Sequence, residues 1–300
     1  MKPTRFVFAL LAAVCLAAGM AGCQSSDAGV GDQADSTEEA YIENKGSDTM
    51  VNLAMVWAER YQQNNTAVRI SVTGGGSGTG LASLMNGTVD VANASRQIKS
   101  EEIDQAHEKG FDPIEYAVAR DAIAVIVHPQ NPINELTVEQ ISNIFRGSYN
   151  NWSELGGEDR PIARVSRETN SGTHVYFLES VIRQGSKEDK TIFSADTLLL
   201  PSSEGIISEV SDNPNAIGYD GLGYVTEHVK VIAISRGEGM PYVLPNIATV
   251  GDGSYAISRE LYMYSRGQPQ GVTAEYIDWV FSEEAQQIVG ELGFVPVAAE

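Results

Sequence analysis

Apolar residues recur along the chain with two different periods. After Gly46-Ser47-Asp48-Thr49, residues Met50, Leu53, Ala54, Trp57, Ala58 and Tyr61 follow the i, i+3, i+4, i+7 spacing of an amphipathic helix. Near the C-terminus Tyr276, Trp279, Val280 and the run to Val289 predict another helix, closed by Gly290. Between such stretches, Arg69 to Val72, Val89 to Ala92 and Ala122 to Val127 are short β-rich or apolar runs. Alternation of the two patterns from Tyr41 onward predicts a layered α/β protein. Outside the first 22 residues no run approaches transmembrane length, and no fixed-period repeat is present.

The first 22 residues carry a different signature. Lys2 and Arg5 precede a 13-residue apolar stretch, Phe6 to Ala18, and small residues then lead to Cys23. This is the pattern of an export signal, and its core is shorter than the roughly 20 residues that span a bilayer. Met20-Ala21-Gly22-Cys23 resembles the lipobox of bacterial lipoproteins, which implies that Cys23 is lipidated and becomes the mature N-terminus. An ordinary cleaved secretory signal is the plainer alternative. The only other cysteine, Cys15, lies inside the signal, so the folded body has no thiol for a bridge, a redox pair or a metal site. From Gln24 to about Tyr41 the composition is Ser, Asp, Gly, Glu and Gln with almost nothing bulky, as in a solvated tether. The expected organisation is a signal over 1–22, a lipidated Cys and tether over 23–41, and a body lipid-anchored at the outer face of the cell membrane or within the periplasm.

Charge narrows the ligand class. The chain has 300 residues, enough for two domains, with 42% hydrophobic and 20% charged residues. Forty acidic residues face 20 basic ones, a net charge of −20, which becomes −22 once Lys2 and Arg5 leave with the signal. A general nucleic-acid binder needs a basic face, so that class is excluded. An anionic small molecule is disfavoured only at long range, because salt screens distant charges over about 8 Å. An anion site here must rest on short-range donors, and the charge map is expected to be negative outside and locally positive in one cleft.

Three segments place small or hydroxyl residues at the mouth of a helix: Gly46-Ser47-Asp48-Thr49-Met50, Gly74 to Gly80, and Arg167 to Thr173. A helix start leaves N–H groups unsatisfied and carries about half a positive charge. Ser and Thr there either cap the helix or turn their hydroxyls to an anion, while Gly admits close approach. Together the three segments could surround one tetrahedral oxyanion; singly, each reads equally as a turn or an N-cap. Nucleotide motifs fail, since Gly74 to Gly80 lacks the P-loop Lys and the GxGxxG register. No Ser sits in GxSxG or has Lys three positions on, and the four His show no paired metal spacing. His174 reads as a helix-surface residue. No metal or other cofactor is expected.

These segments, with Ala92-Asn93-Ala94-Ser95-Arg96, Asn151-Trp152 and Asn215-Ala216-Ile217-Gly218-Tyr219, resemble the PstS-type phosphate-binding proteins of bacterial phosphate ABC transporters. The resemblance covers nearly all of the chain after the tether. It implies a two-lobed, class II periplasmic-binding-protein-like α/β fold with the ligand cleft between lobes. Lobe I is then expected over 42–120 plus 221–300, and lobe II over 121–220. It implies no enzymatic activity, inorganic phosphate as ligand and a membrane permease as partner. Carried over position by position, it assigns phosphate contacts to Thr49, Met50, Ser77, Arg167, Ser171, Gly172 and Thr173. The planar fork of Arg167 suits two phosphate oxygens, unless it serves a salt bridge to Glu168 or another carboxylate.

One position departs from the family. After Ala94-Ser95 better-known members carry an Asp that accepts a hydrogen bond from protonated phosphate; here Arg96 follows. Asp48 is expected to take over that acceptor role, with Arg96 pairing with it or touching the anion, unless Asp48 only caps its helix. The change keeps a receptor for sulfate, molybdate or tungstate open. A phosphate-ester hydrolase on the same cradle would lack a positioned nucleophile, and a sensory or adhesive lipoprotein of the same fold is a further alternative.

Overall fold

The computed structural model describes residues 39–297. The expected export signal, Cys23 and nearly all of the expected tether lie outside them. The tether was expected to run to Tyr41, but the first strand, β1 (Ala40–Gly46), already begins at Ala40, where it pairs with Val68. Among the described residues, no helix is long and apolar enough to cross a membrane.

The first part of the body alternates strand and helix. β1 leads through a 3-10 turn at Asp48–Met50 into α1 (Val51–Asn64), then β2 (Val68–Thr73), α2 (Ser77–Met85), β3 (Val91–Ala94) and α3 (Ser100–Glu108). The predicted stripe is the buried face of α1, with Leu53, Ala54, Trp57, Ala58 and Tyr61 inside. β3 starts two residues later than expected. A turn occupies 86–87, and Asp90 accepts from Glu43 N at 2.8 Å before pairing begins. Gly46 ends β1 at φ +148, where a Cβ would lie 2.1 Å from Asn93 O, so only glycine lets β1 and β3 close up there.

The 15-residue β4 (Pro113–Val127) then joins two cores. Val118 and Ala119 pack with Ile42, Trp57, Leu261 and Phe294, whereas Ile123 and Val125 pack with Phe145, Phe177 and Tyr219. Beyond it come β5 (Glu135–Thr137), α4 (Val138–Phe145), β6 (Ala163–Arg167), α5 (Gly172–Phe177), β7 (Leu198–Leu200), α6 (Ser203–Asp212), β8 (Ala216–Gly221), β9 (Lys230–Val231), β10 (Ala233–Ser235) and α7 (Ile247–Gly251). The chain returns through β11 (Ser258–Arg266), α8 (Gly271–Val280), α9 (Glu283–Glu291) and β12 (Val295–Pro296). The single C-terminal helix expected from 276 to 289 is therefore two. Ser282 breaks it by accepting from Ala285 N and capping α9.

Ten of these strands form one sheet, with path order β2-β1-β3-β11-β4-β8-β6-β7 and with β9 and β12 also on β4. β4 is antiparallel to β11 from Pro113 to Ala122 and to β8 from Ile123 to Val127. Its last seven residues, like all of β8, are buried, as expected of central strands covered on both faces. Ile232, Ile234, Val250, Tyr255, Ile257 and Val295 lie in the hydrophobic cluster of Phe145 and Tyr219, and Val229 in a further one with Val165 and Ile206. Cluster membership changes between Ala119 and Ala122 along β4 and between Ile257 and Leu261 at the start of β11. Asp121 and Arg259 face each other in register within these two stretches.

Candidate functional site

The three helix-mouth segments converge. Gly76 N donates to Gly46 O at 2.9 Å and Gly78 N to Asn170 O at 3.0 Å, while Asn170 Nδ2 returns a bond to Gly75 O at 2.9 Å. Side chains complete the junction. Thr49 Oγ1 lies 2.9 Å from Thr173 Oγ1, and Ser77 Oγ lies 3.3 Å from Ser95 Oγ. Gly172 fits between the serines: a Cβ there would sit 2.4 Å from Ser77 Oγ and 2.5 Å from Ser95 Oγ. Ser171 caps α5 by accepting from Thr173 N. Thr49, Ser77, Ser171, Gly172 and Thr173 are thus brought together and buried. Met50 is different. Its side chain lies in the first core, and its N–H donates to Ser47 O at 3.0 Å.

Arg167 ends β6 with its side chain 1% exposed. Its Nη2 donates to Asp48 Oδ2 at 2.6 Å and Pro201 O at 2.8 Å, and its Nη1 to Ser203 Oγ at 2.9 Å. Asp220 Oδ2 lies 3.7 Å from Nη1, and Asp220 Oδ1 accepts from Ser203 Oγ at 3.0 Å. The expected pairing of Asp48 with Arg96 is therefore corrected: Asp48 takes Arg167 on one oxygen and Gly75 N, at 2.9 Å, on the other. Nor does it cap its own helix. Arg96 instead grips Glu102 with both terminal nitrogens, at 2.7 and 2.8 Å, and donates to Gln97 O. Burial pushes the Glu102 carboxyl up, but the Arg96 and Lys99 N–H bonds outweigh it and hold the group below the usual range.

Sequence reasoning missed Arg259. On β11 it donates through Nη2 to Asp121 Oδ2 at 3.0 Å, Thr173 Oγ1 at 2.9 Å and Thr49 Oγ1 at 3.3 Å, and through Nη1 to Ser95 O at 2.8 Å. A second guanidinium therefore holds the hydroxyls of two loops. The buried partner Asp121 has its carboxyl pushed up to about 6 by desolvation, against the pull of Arg259. Asp220, also buried, is raised for the same reason. A usable signal existed for the acids: Asp121 opens the apolar run Ala122 to Val127, and Asp220 follows Ala216-Ile217-Gly218-Tyr219. For Arg259, between Ser258 and Glu260, only strand alternation pointed inward.

His174 is not on the surface. It is buried, stacked 4.5 Å from Phe193, and its Nδ1 donates to Arg167 O at 2.8 Å, steadying the strand end that carries the guanidinium. Burial lowers its pKa. The expected locally positive cleft is corrected too, because Arg96, Arg167 and Arg259 each meet a carboxylate. Beside this cluster a groove of ≈ 1060 Å³ is lined by Arg96, Lys99, Arg120, Tyr176, Arg259 and Glu260, so two of the three arginines border open space.

Known proteins resemble this chain over most of its length. Residues 31–284 match the family model of the PBP superfamily domain. The chain is 33% identical over 276 residues to the phosphate-binding protein PstS of Pseudomonas aeruginosa, covering 86% of this chain and 84% of that protein. It is 31% identical over 291 residues to PstS of Bacillus subtilis, covering 97% and 91%. Among solved structures, a phosphate ABC transporter substrate-binding protein of Clostridium perfringens with bound phosphate superposes with TM-score 0.76 at 32% identity, covering 86% of this chain and 99% of that one. An ABC-type phosphate transport receptor of Vibrio cholerae gives TM-score 0.68 at 28% identity, covering 85% and 100%.

Proposed function

The chain belongs to the PstS family of phosphate-binding proteins, and from that premise we propose how its site holds the ion. The protein is the substrate-binding receptor of a phosphate ABC transporter: it captures inorganic phosphate and delivers it to the membrane permease, without chemistry on the ion. The carrying observation is the interlocking of three helix-mouth loops around the Thr49–Thr173 and Ser77–Ser95 hydroxyl pairs, under two buried guanidiniums.

Phosphate lodges among these groups. Thr49, Ser77 and Thr173 offer hydroxyls, and Gly172 offers backbone where any side chain would collide with two serines. Arg167 and Arg259 supply charge-assisted bonds, each contributing roughly 1.5–3 kcal/mol. Ser171 keeps the mouth of α5 in shape. Arg96 belongs to the rim, tied to Glu102. The loops come from both cores, so separating the cores opens the site, and bringing them together strips water and strengthens each polar contact. We assign 40–120 with 258–294 to one lobe and 121–257 to the other, following the hydrophobic clusters, with Val295 packed against the second. The N-terminal signal and a lipid on Cys23 would hold the receptor outside the cytoplasmic membrane, near the permease.

Calorimetric titration of the purified chain with phosphate and sulfate tests the reading. Saturable binding of phosphate, lost in Arg167→Ala with folding intact, is the expected result. Tighter binding of sulfate, or sustained turnover of a chromogenic phosphate ester, would overturn it. For the anchor, a lipid mass on Cys23 that disappears in Cys23→Ala is expected.

A further inference from the structure

The charges around the two guanidiniums do not balance. Arg167 meets Asp48 at 2.6 Å and Asp220 at 3.7 Å, and Arg259 meets Asp121 at 3.0 Å. Three carboxylates therefore face two cations before any ligand is counted. Asp121 and Asp220 are fully buried, and each keeps one carboxylate oxygen without a hydrogen-bond partner. Both flank Gly221: Asp220 Oδ1 accepts its N–H at 2.7 Å, and a Cβ on it would lie 3.0 and 3.1 Å from the Asp121 oxygens. The same point is 3.1 Å from Thr49 Cγ2, which puts the Asp121 carboxylate beside the hydroxyl cluster.

Adding a doubly charged oxyanion would leave three net negative charges on these groups in a water-poor interior. The three helix starts offset about half a charge each at best, less than the deficit. Burying uncompensated charge is costly, and a carboxyl in that position takes a proton instead. Resting on the receptor reading above, we propose that the site takes up its anion together with a proton, which is held on the buried Asp121 and Asp220 carboxyls.

The groups facing this pair come from every neighbouring element. Arg259 on β11, Arg167 on β6 and Ser203 on α6 favour the charged forms. Tyr255, Tyr176 on α5, Tyr219 on β8 and Tyr224 stay neutral, their hydroxyls raised by burial, and so offer no positive charge. Asp48 adds negative charge through Arg167. Charge on Asp220 also raises the Asp121 carboxyl, so a proton on Asp220 relieves its neighbour as well. An incoming anion competes for the same guanidiniums and weakens their hold on the acids, which pushes proton affinity up further. Phosphate affinity then falls as pH rises, because the free site must find a proton that alkaline solvent withholds.

The test is calorimetry of phosphate binding near pH 8 in buffers of different ionisation enthalpy, joined to infrared difference spectra of the same titration. Uptake of about one proton per phosphate is expected. It should come with a new carbonyl stretch of a protonated carboxyl, a band no phosphate species possesses, and Asp121→Asn or Asp220→Asn should remove that band. Both main readouts use the unaltered chain, so they stand even if a variant fails to fold. Binding without proton uptake, or uptake without the carboxyl band, overturns the proposal and leaves the receptor intact. Failure to bind phosphate at any pH overturns the receptor reading itself.

Discussion

Two buried arginine centres lie side by side in this molecule and are built to opposite ends. Arg96 meets Glu102 fork to fork, and the same carboxylate accepts Lys99 N at 2.8 Å, closing the first turn of α3. Donors and charge match within one short segment. Arg167 and Arg259 instead draw partners from six segments spread over both cores, and three carboxylates crowd them. A matched pair stabilises what it joins, whereas a mismatched network changes when a ligand or a proton arrives. Burial and residue type are alike at the two centres, so partner count is what separates scaffold from site.

The largest expected effect comes from Arg167→Ala. It removes a charge-assisted donor and strands Asp48 and Asp220, so phosphate affinity measured by calorimetry should fall at least about 100-fold. Full retention would make Arg167 a scaffold like Arg96. Next is Gly172→Ala, whose methyl must displace two serine hydroxyls. Overpacking of this kind costs about 1–3 kcal/mol, read as roughly a tenfold or greater loss of affinity with a smaller change in Tm. Arg96→Gln should do the reverse, lowering Tm while moving phosphate affinity by no more than about threefold. A loss on the scale of Arg167→Ala would erase the distinction between the two centres.

The smallest effect sharpens the comparison through pH. His174 supports Arg167 from behind, and burial depresses its pKa in the folded state. Its contribution to stability is present above the unfolded value of about 6.5 and is lost as pH falls through the lower folded value. Denaturant midpoints should decline on acidification in the unaltered chain and less so in His174→Gln. Identical slopes would mean that His174 does not couple protonation to the β6 end.

Much of this was readable in the residues. The Leu53-Trp57-Tyr61 stripe specified α1 because burying it needs only one helical face. Ser and Gly at the three loop mouths were legible because helix starts demand capping groups and close approach demands glycine. Arg259 was not, because its partners Thr49, Thr173 and Ser95 lie 86 to 210 positions away, and nothing local distinguishes it from a surface arginine. His174 failed for a related reason: its burial depends on Phe193, from a separate segment.

Local chemistry determined the elements, the acidic character, and the kind of group that could meet a tetrahedral anion. Periodicity and capping act over a few residues, so they survive in one dimension. Which acid pairs with which arginine was decided only by the crossings of β4 and β11, which set Asp121 against Arg259, and by the docking of the first loop on the end of β6, which gave Asp48 to Arg167 rather than Arg96. Ion pairs act through space, and in a buried site the fold chooses the neighbours.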